Sequence, residues 1–199
     1  MTSEQVRAAY GSVADLYIEL FGSREKSHPD DLDLIRRHLA DRPGRILDVG
    51  CGPGHLTDYL RSLGADAAGL DMVPSFIAHA RAAFPKGDYR LGSLHDLGAH
   101  SLAGILAWYS LIHIPPAEID DVLTGFRRAM APGGVLVTGF FDGGDRLEPF
   151  GHKVTTAYRW PVGEFSARLR RAGFAEVERR RRPAEGTQRS LAVIASIAG

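Results

Sequence analysis

What this chain has little of narrows its identity first. Its 199 residues include one cysteine, Cys51, so no intramolecular disulfide can form. No apolar run reaches the roughly 20 residues needed to cross a bilayer. The longest late run, Leu191 to Ala198, reads as a buried strand. The opening residues, MTSEQVRAAYGS, carry neither the basic start nor the apolar stretch of a signal peptide. Lysine occurs only as Lys26, Lys86 and Lys153, and the arginine used elsewhere points to a GC-rich bacterial source. Excess charge of either sign is missing: 24 lysines and arginines face 24 aspartates and glutamates. That balance argues against bulk attraction to nucleic acid or to an acidic membrane surface. A thiolate zinc site is excluded in practice by the cysteine count, and no acidic set suited to a divalent cation is present. The expectation is a cytoplasmic protein without metal. Its length suits one domain, and its 44% hydrophobic content is enough to bury a core.

No internal repeat, low-complexity tract or linker interrupts the chain, which alternates helical and strand patterns. Val6, Ala9, Tyr10, Val13, Tyr17, Ile18 and Phe21 recur at helical spacing, with Gly11 a possible break. A second helix is expected over Pro29 to Ala40, with Ser27 and Asp30 resembling a capping box. RILDV (45–49) reads as a short buried strand, His55 to Leu63 as a helix closed by Gly64, and Ala65 to Asp71 as the next strand. A helix over Pro74 to Phe84 and strands at Tyr89 to Leu91, Ile105 to Trp108 and Val135 to Phe140 follow, with a helix from about Ala117 to Met130 before the last. A helix (Val162 to Ala172) and two strands (Ala175 to Arg181, Arg189 to Ile197) end the chain. Such alternation implies an α/β, doubly wound, mostly parallel sheet with helices on both faces. Its ligands belong beyond the carboxyl ends of the strands, at the switch point. The final two strands have no helix between them and suit an antiparallel edge hairpin.

The most informative segment is LDVGCGPGHLTDYL (47–60), in which a buried strand delivers Asp48 and then Gly50, Gly52 and Gly54 before a helix begins. Glycines are needed where the backbone turns sharply or where a ligand touches main chain. A dinucleotide fingerprint would require glycine where His55 stands. GxGxG after an acidic strand end suits a ligand without a pyrophosphate, although such a loop taken alone is also a plain tight turn. The next strand ends in GLDM (69–72), and an acid there, Asp71, is placed to accept hydrogen bonds from two ribose hydroxyls or to cap the helix that follows.

With both elements present and in order, residues 40–199 resemble the class I S-adenosylmethionine (SAM)-dependent methyltransferase family. LDVGCGPG resembles its first motif and GLDMVPSFIAHAR its second. APGGVLVTGFF (131–141) resembles the loop and strand after the fourth crossover helix, and AGFAEVE (172–178) the approach to the sixth strand. The resemblance implies a Rossmann-like seven-stranded sheet with a reversed seventh strand, and SAM as cofactor. It implies one domain over 1–199, its N-terminal helices (1–40) covering the cofactor and its core spanning 41–199. Gly50, Cys51, Gly52 and Gly54 would then border the methionine and ribose portion. Asp48 would organise the amino end, Asp71 the ribose, and Met72 the adenine face. The family often has an acid after the third strand. Here Gly92-Ser93-Leu94 stands there, so Ser93 or a backbone N–H in that turn, at Leu94, would meet the adenine. Ala103-Gly104 likewise replaces the Asp that often opens the fourth strand. Tyr10 and Tyr17, seven apart on one helix face, either close over the methionine end or simply pack.

The acceptor side follows the fourth strand in AWYSLIHIPP (107–116). It lacks the Asn/Asp-Pro-Pro-aromatic pattern of enzymes acting on base amines, and the paired glutamates of arginine methyltransferases are absent from the chain. It resembles the ubiquinone-biosynthesis-like, small-molecule branch. His113 is the candidate base for a protonated acceptor, or a structural histidine. Tyr109 is an aromatic wall, a hydroxyl donor or a core residue. The glycines of DGGDRLEPFGHKVTTA (142–157) suggest a mobile polar loop, with Arg146, His152 and Lys153 available to an anionic substrate. ERRRRP (178–183) is a local basic run whose arginines alternate faces in a strand. Two other classes compete. A SAM-binding protein without catalysis would bind but not turn over. A nicotinamide-dependent reductase is disfavoured by His55.

Overall fold

The computed structural model describes residues 2–98, 101–184 and 190–199. Two short helices come first, α1 (Ser3–Ser12) and α2 (Ala14–Phe21). Thr2 and Gln5 form a capping box that starts α1, satisfying two backbone donors that the first turn leaves open. The break between the helices falls at Val13 (φ −122°, ψ 18°), two residues beyond Gly11. Helix α3 (Pro29–Leu39) is capped by the His28 side chain, which accepts from the Asp30 N–H, so the Ser27–Asp30 box is not formed. Pro29 at the first helical position fixes the start one residue later than that box requires.

The parallel part of the sheet comprises β1 (Ile46–Val49), β2 (Ala67–Asp71), β3 (Asp88–Leu91), β4 (Leu102–Trp108) and β5 (Met130–Asp142), in the spatial order β3-β2-β1-β4-β5. Helices α4 (His55–Ser62), α5 (Pro74–Ala83) and α6 (Ile119–Ala129) make the connections. The chain then adds β6 (Glu148–Gly151), β7 (Thr156–Trp160), α7 (Val162–Arg171), β8 (Phe174–Arg182) and β9 (Leu191–Ala198). Strand β9 runs antiparallel to β5 from Val135↔Ile197 to Phe141↔Leu191, and β8 pairs antiparallel with β9, giving the expected edge hairpin. Arg189, expected to open the last strand, lies outside the described residues.

Among the described residues the sheet has nine strands rather than seven. The expected loop 142–157 instead contributes a hairpin, β6–β7, and β7 pairs parallel with Phe141 and Asp142. Strand β4 stops pairing at Gly139, and the edge of β5 that it vacates is where β7 docks, because the opposite edge of Phe141 is held by Leu191. In Thr156-Ala-Tyr-Arg-Trp, Ala157 and Trp160 are both at most 1% exposed and lie on opposite faces of the strand, and their burial holds a strand where the glycines upstream suggested a loop.

Each sheet face carries its own core. On one, Ile119, Val122, Leu123 and Phe126 of α6 pack with Phe165 and Leu169 of α7 over Ile105, Leu136 and Phe140. On the other, Leu34, Ile35 and Leu39 of α3 join Leu56 and Leu60 of α4 over Ile46, Leu106 and Val137. Burial on both faces is why β4 and β5 read as continuous apolar runs. Between β1 and β4 the connections diverge to opposite sides, which opens a crevice at the carboxyl ends of these strands. Among the described residues no helix is long and apolar enough to cross a membrane.

Candidate functional site

The crevice is a cleft open to solvent, with a cavity volume of about 100 Å³. Its floor is the β1–α4 turn, its walls are the ends of β2 and β4, and its roof is α1 and α2. Gly50, Gly52, Asp71, Met72, Leu94, Tyr10, Tyr17, Tyr109 and His113 line it, bringing together nine of the residues singled out from the sequence.

Asp71 organises the floor. One carboxylate oxygen accepts the Gly52 N–H and the other the Val73 N–H, both at 2.8 Å. The N-cap residue of the helix that follows, Val73, makes no side-chain cap, and Asp71 ties the residue that opens α5 to the glycine turn. Each oxygen retains a further acceptor site, since a carboxylate offers about four. Burial raises the Asp71 carboxyl above the ordinary value, and the backbone donors at Val73, Gly52 and Met72 oppose that rise.

The three glycines do different jobs. Gly52 has φ +52°, and a Cβ built there meets only the Tyr17 ring at 3.9 Å, so this backbone faces open cleft. Gly54 has φ +91°, but a Cβ there would strike Ala80 Cβ and the Tyr89 ring at 2.8 Å. Its requirement is helix packing, not ligand approach, and it does not line the cleft. Gly50 lines the cleft against Ser110.

Three more sequence candidates sit behind the cleft surface. Asp48 is 1% exposed beneath the turn, and its carboxylate accepts the Thr57 hydroxyl at 2.6 Å. Burial pushes its carboxyl up to about 7; the Thr57 hydrogen bond opposes this and the field of Asp71 adds to it. Cys51 turns away into a cluster with Ile77, Ala80 and Tyr89, and burial drives its thiol well above the usual range. Ser93 accepts from the His95 N–H at 3.2 Å and caps a short 3-10 turn, Leu94–Asp96, while Gly92, Leu94 and His95 line the wall.

On the acceptor side, Tyr109 is the one non-glycine residue of positive φ among those described, at φ +55°. That strained conformation turns its ring between Trp108 and Phe141, with centroids 5.2 and 5.4 Å away. Its hydroxyl is buried without a hydrogen-bond partner. Burial, and then Asp31, raise its pKa, with Arg182 opposing. His113 is 6% exposed and bonded at both nitrogens: Nδ1 to the Thr156 carbonyl at 2.7 Å and Nε2 to the Tyr10 hydroxyl at 2.9 Å. A carbonyl only accepts, so Nδ1 carries the proton and neutral Nε2 accepts from Tyr10. Burial holds the imidazole below its usual pKa, the Thr156 bond opposing.

Sequence reasoning missed Thr57, Phe76, Ser110 and Thr156. Ser110 lies inside the flagged 107–116 segment, and its hydroxyl is buried without a partner in the cleft wall. Thr156 acts through its backbone, which no side-chain motif reveals. Of the residues proposed for an anionic substrate, Arg146 and Lys153 are exposed and His152 packs on Phe141 and Phe150. None of the three lines the cleft. The basic run is neutralised locally: Arg179 pairs with Glu176, Arg180 with Glu178, Arg181 with Asp142 and Arg182 with Asp31.

Residues 46–134 match the family model described as a methyltransferase domain. The chain is 31% identical over 137 residues to an uncharacterized methyltransferase of Synechocystis sp., covering 67% of this chain and 63% of the relative. It is 28% identical over 137 residues to the ubiquinone biosynthesis O-methyltransferase of Xanthomonas oryzae pv. oryzae, covering 64% of this chain and 56% of that protein. The chain thus spans less than two thirds of the length of these relatives. In fold it is similar to the Burkholderia thailandensis 1,6-didemethyltoxoflavin-N1-methyltransferase, solved with 1,6-didemethyltoxoflavin and S-adenosylhomocysteine. That match has a TM-score of 0.80 at 19% identity over 98% of this chain and 88% of the other. The glycine turn tied to Asp71 and the strand order thus stand within a chain that matches a methyltransferase domain over residues 46–134.

Proposed function

We propose that this protein transfers a methyl group from SAM to a small-molecule acceptor. The observation that carries the reading is the floor of the cleft: Gly52 presents bare backbone to open space while Asp71, fixed by two N–H groups, keeps acceptor sites beside it. Those residues fit SAM. Asp71 would take the ribose hydroxyls, Met72 and Leu94 the adenine faces, and Gly50, Gly52, Tyr10 and Tyr17 the remainder, with Asp48 supporting the turn from below. Bound there, the cofactor supplies a sulfonium methyl that is lost to a nucleophile while sulfur keeps the bonding pair.

The chain's own contribution is positioning and exclusion of water. Tyr109, Ser110 and His113 at the end of β4 hold the acceptor side, and Tyr10 and Tyr17 of the roof, packed on Phe76 of α5, shield it from water. A hydroxyl acceptor must also lose a proton, and Nε2 of His113 is the basic atom at that wall; in the structure it is bonded to Tyr10. The names of the Xanthomonas and Burkholderia relatives denote small-molecule chemistry and support that acceptor class, with oxygen, nitrogen and carbon all open. The paired arginines of 179–182 support a reading without nucleic acid. The single cysteine and the preference for arginine over lysine support a cytoplasmic, bacterial setting.

The test is a panel of phenols, alcohols, amines and carbon acids incubated with methyl-radiolabelled SAM. Label transfer to one class confirms the activity and names the atom. A protein that binds S-adenosylhomocysteine (SAH) yet labels nothing would favour the non-catalytic alternative.

A further inference from the structure

Helix α1 covers the cleft with little apolar anchorage. Val6 is its one buried side chain. Its one inward aromatic is Tyr10, whose ring meets Tyr17 and Phe76 edge-on at 5.5 and 6.1 Å and whose hydroxyl reaches His113. His113 belongs to the rigid frame. The turn that carries it is held to β7 twice, by Nδ1–H to the Thr156 carbonyl and by the Tyr158 N–H to the Ile112 carbonyl at 2.8 Å. The polarity of this chain is fixed from the frame outward. Thr156 accepts, so His113 presents its lone pair to the roof, and Tyr10 donates into it. Burial, Tyr17 and Asp71 keep the Tyr10 phenol protonated, and burial keeps His113 neutral, so donor and acceptor are matched.

We propose that His113 is a positioning residue that latches the N-terminal cover over the cofactor: Thr156 aims the imidazole, and the imidazole holds Tyr10 and with it α1. The inference rests on the reading of the cleft as the cofactor site. On this proposal the cofactor leaves as α1 lifts, and lifting breaks the Tyr10–His113 bond. The lone pair expected to serve as a base for the acceptor is thereby spent on the roof while the cofactor is held.

Tryptophan fluorescence reports the cleft through Trp108, so SAH dissociation is measurable by stopped flow. Loss of one buried neutral hydrogen bond is worth roughly 0.5–1.5 kcal/mol, or about 2–13-fold in rate. Tyr10→Phe should therefore speed SAH dissociation about fivefold with little change in the association rate. His113→Asn retains a donor for Thr156 but is too short for Tyr10, and should match it. The double variant should be no faster than either single variant. His113→Gln, whose amide oxygen can replace Nε2, should recover part of the loss. Hydrogen exchange without ligand supplies an independent arm: Tyr10→Phe should raise exchange over residues 6–12 and leave β1 and β4 unchanged. Unaltered dissociation, multiplying effects in the double variant, or unaltered exchange in α1 would overturn the latch. If wild type binds no SAH, the cofactor reading fails, and the exchange arm still decides the latch.

Discussion

Asp48→Asn exposes a proton held inside the folded protein. Asp48 is sealed beneath the glycine turn with the Thr57 hydroxyl as its hydrogen-bond partner. Its carboxyl is raised from 3.8 to about 7, chiefly by burial. Between those values the folded state keeps a proton that the unfolded chain has released. More protons bound in the folded state means that stability falls as pH rises through that window. A tenfold change in proton affinity is worth about 1.4 kcal/mol, so the contribution amounts to roughly 3–4 kcal/mol between pH 4 and pH 7. His55, the first residue of α4, works in the opposite direction. Burial holds its imidazole at about 4, with Glu25 opposing, so the unfolded chain takes up that proton first and stability falls as pH drops from 6.5 towards 4. The two slopes mask each other in wild type. Asparagine preserves the shape of Asp48 and an oxygen for Thr57 while removing the titration. Urea unfolding of both proteins from pH 4 to 7.5 is the assay, and subtracting the two curves cancels every group they share. The stability of the variant relative to wild type should climb with pH by roughly 3 kcal/mol across the window and level off above about 7. A difference that is flat with pH, or falls, would refute the reasoning.

Asp71→Ala should weaken SAH binding more than tenfold by calorimetry, since charge-assisted bonds are worth about 1.5–3 kcal/mol; unchanged affinity in a folded variant would move the ribose contact elsewhere. Gly54→Ala forces a Cβ into Ala80 and Tyr89 at positive φ and should cost about 2–4 kcal/mol, seen as a calorimetric Tm lowered by roughly 4–16 °C. Gly52→Val should instead lose SAH binding by filling ligand space, with a smaller loss of Tm. Glu178 joins the edge strand β8 to α3 through Arg37 and His38, both at 2.7 Å, and the Arg37 guanidinium holds its carboxyl at about 2. Its contribution is full above the ordinary glutamate pKa and is lost as pH falls towards 2, so Glu178→Gln should lower stability at pH 7 and flatten the acid limb in a thermal scan.

The sheet and its crevice were legible because burial on both faces writes β1, β4 and β5 as apolar runs, while α3, α4 and α6 show one apolar stripe each. Asp71 was legible because strand, glycine turn and acid recur in a fixed order. The hairpin β6–β7 was not. Its anchors Ala157 and Trp160 stand three apart on opposite faces of β7, so they leave no alternating pattern to set against Gly143, Gly144 and Gly151. Cys51 and Gly54 were assigned to the cleft from their neighbours in the motif. The alternation of the turn sends one side chain into α5 and reserves the other position for packing against Tyr89. The setting of His113 escaped the sequence altogether, because Thr156 contributes a carbonyl and Tyr10 arrives from 103 residues away.

Titration of the purified protein with SAH in a calorimeter, followed by NAD in a second run, tests the central claim most directly. Saturable heat for one SAH per chain, lost in Asp71→Ala, is expected, and none for NAD. Heat with NAD and none with SAH would contradict the claim.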